Sequence, residues 1–181
     1  MNGKKIGRLF PVVKLILFRD LEESPLAIKT NELTACLQTR DGHPFAVANV
    51  HLPAKPGSEE QQSEAITKLL GAMQNSDCNS WIVAGDFNIK MDEPNRVTEA
   101  LRQSFCQINA GMTYFDPHAL MINDMPLVPQ AIDALLYSPD MFAPAAVWAD
   151  YDFADRGLPS EENPSDHVPL CAAFLFLQDP A

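Results

Sequence analysis

Between residues 45 and 84 the chain alternates short apolar runs with one long amphipathic segment, and this alternation constrains the fold more than any other feature. Phe45–Val50 and Trp81–Ala84 are too short for helices and have the apolar composition of strands. Between them, Ser58–Gln74 carries an apolar stripe at helical spacing, made of Ala65, Ile66, Leu69, Leu70 and Met73. The pattern predicts a domain in which strands and helices interleave.

Further strands are predicted on both sides of this segment. An Asp-Gly pair at Asp41 and Gly42 predicts a hairpin between Leu33–Thr39 and Phe45–Val50. The remaining predicted strands are Lys14–Phe18, Ala131–Tyr137, Ala145–Trp148 and Val168–Leu177. Because a strand-rich stretch follows an interleaved one, we predict an α/β sandwich rather than a purely doubly wound sheet.

The helix ends and long connections carry local signals. Ser58 with Gln61 predicts a capping box at the start of the first helix, and Asp92 is predicted to cap a second helix that ends near Phe105. Residues 109–130 are rich in turn-forming residues and residues 149–164 are charged, so both are predicted to be loops.

The composition is that of one globular, intracellular domain. Apolar residues make up 46% and charged residues 20% of 181 positions, and no apolar run approaches the ~20 residues of a membrane span. The first residues do not form a signal-peptide pattern, and the four cysteines lack a CxxC spacing. We therefore expect a cytoplasmic protein in which thiols such as Cys36 and Cys171 are buried in strands. Residues 1–10 are expected to be a tag or a disordered start, and residues 11–181 to form one unit.

The net charge of −11 restricts the nucleic acids that the chain could bind. Proteins that bind long nucleic acids usually carry a basic patch, because phosphate neutralisation supplies much of the affinity. Here only Lys4, Lys5 and Arg8 cluster. The charge therefore favours a short substrate that is held in a cleft.

Four short strings that contain polar residues are predicted to lie where a strand ends and a loop begins. They are Asn49–Leu52, Gly85–Asn88, Ile132–Leu135 and Ser165–Val168. Strand ends are positions at which side chains held by a rigid sheet can converge on a cleft. The strings are therefore candidates for one functional site.

Asp86 and Asn88 are two residues apart in extended chain, so their side chains point to the same side. The carboxylate can orient a water or bind a metal, and the amide can donate to a phosphate oxygen. The alternative is a Gly-Asp-x-Asn turn whose side chains only satisfy backbone amides, and the two residues alone leave it open.

The other candidates are a histidine with an adjacent carboxylate, a second histidine and an aspartate in an apolar strand. Asp166 could fix the tautomer of His167 and make it a general acid or a phosphate donor. His51 follows a strand, and Asp133 interrupts one and therefore needs a donor or an imidazole as its partner. The alternatives are that Asp166 and His167 are only a surface pair, that His51 is structural, and that Asp133 makes a simple hydrogen bond.

Taken together and in this order, the four strings resemble motifs of the endonuclease/exonuclease/phosphatase superfamily. NVHL at 49–52 is similar to the family's Asn-Thr-His-Leu, and GDFN at 85–88 matches its Gly-Asp-Phe-Asn. AIDALLYS at 131–138 and NPSDHVPL at 163–170 resemble its Ile-Asp-Tyr-Ile-Tyr-Ser and Pro-Ser-Asp-His-Tyr-Pro-Leu strings. The resemblance implies part of a four-layer α/β sandwich, with two packed β-sheets flanked by helices, and a hydrolase that uses Mg²⁺ or Mn²⁺ on phosphate esters.

The resemblance also implies a role for each matching residue. Asp86 would orient the attacking water, and His51, Asn88 and His167 would hold the phosphate. Asp133 would brace a histidine, and Asp166 would brace His167 or a metal. The implied metal ligands are Asp86, Asn88 and Asp166.

Within the superfamily, the chain looks most like the branch of nocturnin, the angel proteins and the poly(A) deadenylases. That branch implies a 3′-to-5′ exoribonuclease acting on RNA. A nucleotide 2′-phosphatase or a 2′,5′-oligoadenylate phosphodiesterase would use the same chemistry at phosphorus. A non-catalytic binding module is the alternative from another functional class.

The resemblance does not extend to the family's first half. Members carry a metal-binding glutamate there, whereas the acidic residues before His51 have no such context; they are Asp20, Glu22, Glu23 and Glu32. We therefore expect the chain to correspond to the C-terminal half to two-thirds of the domain. One sheet alone would expose a broad apolar face, so a dimer or a second chain that supplies the missing half is expected.

Overall fold

The computed structural model describes residues 33–38, 42–109, 111–114, 130–149, 165–168 and 170–177. The predicted strand Lys14–Phe18, the predicted start at residues 1–10 and most of the two predicted loops lie outside these residues.

The described residues form strands and helices that interleave in the first half and are mostly strands in the second. In chain order the elements are β1 (Leu33–Gln38), β2 (Pro44–His51), α1 (Glu59–Gln74), β3 (Trp81–Asp86), α2 (Arg96–Arg102), β4 (Cys106–Gln107), β5 (Asp133–Tyr137), β6 (Phe142–Ala149) and β7 (Leu170–Phe176). None of the described helices is long and apolar enough to cross a membrane.

Five strands form the first sheet, in the order β1-β2-β3-β5-β4. β1 and β2 are antiparallel neighbours, which confirms the predicted hairpin, and Gly42 near the turn has a φ of 89° that suits glycine. β2 and β3 run parallel, with α1 as their crossover, and β5 pairs antiparallel with β3. The second sheet is the antiparallel pair β6-β7.

One face of the five-stranded sheet is covered by the helices. Ile66 and Leu69 of α1 are 1% exposed and pack with Val83 of β3 and Leu101 of α2 in one core cluster. Phe87, directly after β3, is fully buried in the same cluster. Burial of this apolar area is the main stabilising contribution to the fold.

The opposite face of that sheet packs against the second sheet. The rings of Phe45 on β2 and Phe142 on β6 meet edge to face at 5.8 Å, and Tyr137 on β5 lies 5.4 Å from Phe174 on β7. The structure therefore contains two packed sheets with helices on the outer face of the first. The predicted class, part of an α/β sandwich, is confirmed.

Both predicted helix caps are wrong. Ser58 lies at the N-cap of α1 but makes no capping hydrogen bond, because its hydroxyl donates instead to the Pro53 carbonyl at 3.0 Å. The second helix begins only after Asn95, whose side chain accepts hydrogen bonds from the Val97 and Thr98 amides. Pro94 disfavours helical backbone at the residue before it, so a helix cannot readily start at Asp92.

The cysteines also differ from the prediction. Cys78 is buried, whereas Cys36, Cys106 and Cys171 are exposed. Among the described strands, β1 lies at the edge of the first sheet, so Cys36 has a described neighbouring strand on one side only. Its apolar sequence neighbours therefore did not indicate burial.

Candidate active site

Strand pairing places three of the predicted site residues in one row across the first sheet. His51 ends β2, Asp86 ends β3 and Asp133 begins β5. The register pairs His51 with Asp86, and Asp86 with Asp133. Residues far apart in the sequence thus become direct neighbours at one edge of the sheet.

The turn after β3 orients Asp86 through Asn88. Asn88 has a φ of 50°, in the left-handed region that asparagine tolerates. The Asp86 Oδ1 atom accepts a hydrogen bond from the backbone N–H of Asn88 at 2.8 Å. Its Oδ2 atom accepts one from the side-chain Nδ2 of Asn88 at 3.0 Å. The side chains therefore stabilise the turn, and the same contacts fix the direction of the carboxylate toward its neighbours.

Asn88 also contacts the loop after β2. Its Nδ2 atom donates to the Leu52 carbonyl at 2.8 Å, in addition to Asp86. Because an amide nitrogen has two hydrogens, both are engaged. Asn88 can then offer a ligand its carbonyl oxygen, whereas donation to a phosphate would require one of these bonds to open.

Gln62 of α1 joins the two loops that carry His51 and Asn88. Its side chain is 3% exposed, and Nε2 donates to the Pro53 carbonyl at 2.7 Å and to the Asn88 carbonyl at 3.2 Å. Gln62 is not among the site residues predicted from the sequence. The signal was its position on the buried face of α1, three and four residues before Ala65 and Ile66, where a polar residue needs a hydrogen-bond partner.

Replacing Gln62 with alanine should lower the free energy of unfolding by about 1–3 kcal/mol, because it removes the side chain that donates to the backbone carbonyls of Pro53 and Asn88 and leaves the partly buried Asn88 carbonyl without this donor. Urea denaturation measures the change. Gln61→Ala, one residue earlier on the exposed face, is the matched control and should change stability by less than about 0.5 kcal/mol. Equal effects of the two substitutions would contradict a specific role for Gln62.

His167 contacts the row through Asp133. The distance from His167 Nδ1 to Asp133 Oδ2 is 2.8 Å, so the carboxylate favours a proton on Nδ1 and turns Nε2 toward the site. His167 Nε2 lies 3.9 Å from Asp86 Oδ2 and 3.9 Å from Asp166 Oδ1. Asp133 thus has the imidazole partner that its half-buried position requires, whereas Asp86 and Asp166 lie beyond hydrogen-bond distance of His167.

The segment that carries His167 is held by Thr113 and Tyr114. The Val168 amide donates to the Thr113 carbonyl at 2.7 Å, and the fully buried Thr113 hydroxyl accepts a hydrogen bond from the Asp133 amide at 3.1 Å. The Tyr114 ring lies 4.9 Å from the His167 ring. Both residues fall in a stretch that was predicted to be loop, and its sequence contains no signal for these contacts.

His51 lies at the open rim of the site. Its Nε2 atom is 3.7 Å from Asp86 Oδ2, and its side chain is 60% exposed, compared with 19% for Asp86. A residue with that exposure can reach a ligand without being desolvated first.

Burial is the main cause of the raised pKa of Asp86. Desolvation raises the pKa of Asp86 above its usual value of 3.8, and the nearby Asp133 carboxylate raises it further. The hydrogen bond from the Asn88 amide and the charges of His167 and His51 act in the opposite direction. The Asp86 carboxylate therefore binds a proton more readily than an exposed aspartate does.

This shift predicts a pH dependence of stability. Above pH 3.8, the unfolded chain loses the Asp86 proton before the folded chain does, so this group's contribution to stability is lost as pH rises through the folded pKa. With a chelator present, the melting temperature of Asp86→Asn minus that of the wild type should increase between about pH 3 and pH 7. A difference that is constant or that falls with pH would contradict the raised pKa.

Two side chains of the row and His167 can together bind one cation. Ligand atoms of Asp86, Asp133 and His167 lie within 4.8 Å of one another. Carboxylates suit Mg²⁺ and Mn²⁺, and the carbonyl oxygen of Asn88 is a further donor of the same kind. The residues therefore fit a divalent cation, and this set shares Asp86 with the predicted ligands Asp86, Asn88 and Asp166.

A cavity of about 470 Å³ opens beside the row. Asp133, Ser165 and His167 form its polar wall, and strand residues such as Leu135 and Leu170 form its apolar wall. An apolar cleft with a few convergent polar groups is the usual form of a small-molecule site.

Comparisons of sequence alone identify no relative, since no family model and no curated protein match the chain. Solved structures do match. Human Nocturnin, whose catalytic domain was solved with a bound sulfate anion, is 25% identical with a TM-score of 0.55. An endonuclease/exonuclease/phosphatase from Bacteroides vulgatus is 17% identical with a TM-score of 0.59. ANGEL2, described as a 2′,3′-cyclic phosphatase, is 16% identical with a TM-score of 0.57.

These matches cover most of this chain but only part of the others. They include 81%, 81% and 79% of this chain, and 52%, 55% and 60% of Nocturnin, the Bacteroides vulgatus protein and ANGEL2. The chain thus spans about half the length of the structures that it matches.

Proposed function

Because the chain has the endonuclease/exonuclease/phosphatase fold, as its motifs predicted, we propose that it carries residues of a phosphate-ester hydrolase centre. The observation that carries the proposal is the row at the sheet edge. Asp86 and Asp133 are direct cross-strand neighbours, and His167 contacts Asp133 at 2.8 Å. A chance cluster of surface residues would not require the ends of three strands to meet.

Asp86 is proposed to orient the attacking water and to accept its proton. The carboxylate direction is fixed by Asn88, and its raised pKa makes it a better proton acceptor than an exposed aspartate. Because Asp86 lies beside both histidines, a water held by it would be next to the groups that are proposed to bind the phosphate. Orientation of this kind lowers the barrier because less freedom is lost at the moment of reaction.

His51 and His167 are proposed to donate hydrogen bonds to phosphate oxygens. Hydrogen-bond donors at these positions would stabilise the negative charge that develops there, and Asp133 keeps His167 in position through the Nδ1 contact. Asp86, Asp133 and the side-chain carbonyl oxygen of Asn88 would hold a divalent cation, with Asp166 as a further carboxylate nearby. When bound, the cation would supply positive charge against the phosphate.

For the substrate we propose RNA that is shortened from its 3′ end, with a short adenylate segment as the bound part. The motif resemblance to the branch that includes the poly(A) deadenylases supports this choice, and sulfate, the anion in the matched Nocturnin structure, resembles phosphate in shape and charge. The net charge of −11 disfavours a long nucleic acid. A nucleotide 2′-phosphatase or a 2′,5′-oligoadenylate phosphodiesterase remains an alternative at the same site, and the name of ANGEL2 shows that phosphatases share the fold.

A second protein surface is part of the proposal, because the chain spans about half of the structures that it matches. We propose that a second copy or a separate chain packs on the exposed apolar side chains of the β6–β7 sheet. Val147 of β6 and Leu177 after β7 are 41% and 38% exposed, so both side chains are accessible to such a partner.

The test compares labelled oligo(A), a 2′,5′-linked oligoadenylate and a 2′-phosphorylated dinucleotide with Mg²⁺ or Mn²⁺. Stepwise shortening of oligo(A) that stops when a chelator is added is the expected result. Preferential release of inorganic phosphate from the dinucleotide would support the phosphatase instead. If a folded protein turns over none of the substrates, the proposal is wrong for this chain and the binding module is supported.

A further inference from the structure

Two cysteines that are far apart in the sequence are in contact on the side of the fold away from the candidate site. Cys36 lies on the edge strand β1, and Cys78 lies in the connection between α1 and β3. Their Sγ atoms are 3.6 Å apart. A disulfide requires about 2.05 Å, so a closing movement of roughly 1.5 Å separates contact from a bond.

The surroundings of the two thiols differ. Cys36 is exposed and can meet a solute, whereas Cys78 is 6% exposed. The Cys78 carbonyl accepts hydrogen bonds from Trp81 Nε1 at 2.7 Å and from the Ser76 hydroxyl at 3.0 Å. These bonds fix the backbone of Cys78, so its thiol is held facing Cys36.

The difference in exposure also separates the chemical roles. Burial, followed by contact with Cys36, raises the pKa of the Cys78 thiol to about 11, so Cys78 stays protonated at neutral pH. Only a thiolate reacts readily with an oxidant, and Cys36 has the required access. Cys36 is therefore the residue that reacts first with the oxidant, and Cys78 is the resolving residue that then attacks the oxidised Cys36.

We propose that Cys36 and Cys78 form a disulfide site that a hydroperoxide oxidises. In the first step the Cys36 thiolate attacks one peroxide oxygen, which breaks the O–O bond and gives a sulfenic acid and hydroxide (or alkoxide). In the second step Cys78 sulfur attacks the sulfenic sulfur, and the hydroxyl group leaves with the Cys78 proton as water. The two sulfurs lose two electrons in total, and the peroxide gains them.

The bond would fasten the edge strand β1 to the connection before β3. It would close a loop of roughly 40 residues that includes β2 and α1, which reduces the freedom of the unfolded chain. The melting temperature should rise by roughly 5–10 °C on oxidation, because each kcal/mol shifts it by about 2–4 °C in a domain of this size. A reductant should reverse the rise.

The test treats the full chain with hydrogen peroxide and then blocks the remaining thiols. Peptide mass spectrometry should show Cys36 and Cys78 in one linked pair, lighter by two hydrogen atoms, and neither of these two thiols should react with the blocking reagent. The variant Cys36→Ser should lose both the linked peptide and the rise in melting temperature. The double variant Cys106→Ser with Cys171→Ser is the matched control, since both thiols are exposed, and it should keep both.

The proposal would be overturned if Cys36 stops at the sulfenic or sulfinic acid, if the linked peptide contains another cysteine, or if Cys36→Ser shows the same rise. Cys36 is exposed, so its substitution should not prevent folding. None of these measurements uses hydrolysis, so their outcome is independent of the proposed function.

Discussion

Replacing Gly85 with alanine is expected to destabilise the fold by more than about 3 kcal/mol, or to prevent folding. A Cβ atom at Gly85 would lie 1.9 Å from the Val50 carbonyl oxygen and 2.9 Å from the Val50 nitrogen. Gly85 also has a φ of 143°, which side chains rarely allow. Since the contacts are with backbone of the paired strand β2, no rotamer change can relieve them. Thermal and urea denaturation measure the loss.

Gly71→Ala is the matched control for this substitution. Gly71 lies in α1, and an added Cβ would meet nothing within 4 Å. Alanine in a helix is favoured over glycine, so this variant should be as stable as the wild type or more stable by up to about 1 kcal/mol. If Gly85→Ala melted close to the wild type, the tight approach of β3 to β2 beside Asp86 would be wrong.

Replacing Asp86 with asparagine is expected to lower the rate of phosphate-ester hydrolysis by about 100–1000-fold, the range typical for loss of one electrostatic group in a site. The amide cannot accept a proton from the attacking water. It would also place an N–H group against Asn88 Nδ2, which now donates to Asp86 at 3.0 Å. The measurement is kcat/KM on the preferred substrate at saturating metal.

Asp92→Asn removes the same charge at an exposed position and should leave kcat/KM within about twofold. A melting curve for each variant separates lost chemistry from lost folding, because Asp86→Asn is expected to stay folded. Equal rates for Asp86→Asn and the wild type would show that Asp86 does not act in the reaction.

The sequence predicted the strand ends because each end is marked by a change from apolar to polar residues. Asp86 and Asn88 follow an apolar run, and Asp133 stands in one, so their positions could be read from the pattern. The sequence left the partner of Asp133 open between a simple hydrogen-bond donor and the imidazole of one of the histidines, since the choice depends on how the chain folds back. The structure identifies that partner as His167.

Other features depend on tertiary contacts that no local pattern contains. The strand β4 exists because residues 106 and 107 pair with the edge of β5. Tyr114 contacts His167 only because two distant segments meet there. The exposure of Cys36 follows from its place on an edge strand, which the apolar residues around it do not encode. The burial of Gln62, in contrast, could have been predicted from a local pattern, because helical spacing places it on the buried face of α1.

The most direct test of the hydrolase centre is turnover in water enriched in heavy oxygen, followed by mass spectrometry of the product. If the site directs water at phosphorus, the wild-type protein with Mn²⁺ should give a product whose phosphate carries one solvent oxygen. The incorporation should stop with a chelator and in Asp86→Asn. A correctly folded protein that shows no metal-dependent incorporation, or one whose incorporation is unchanged in Asp86→Asn, would contradict the account.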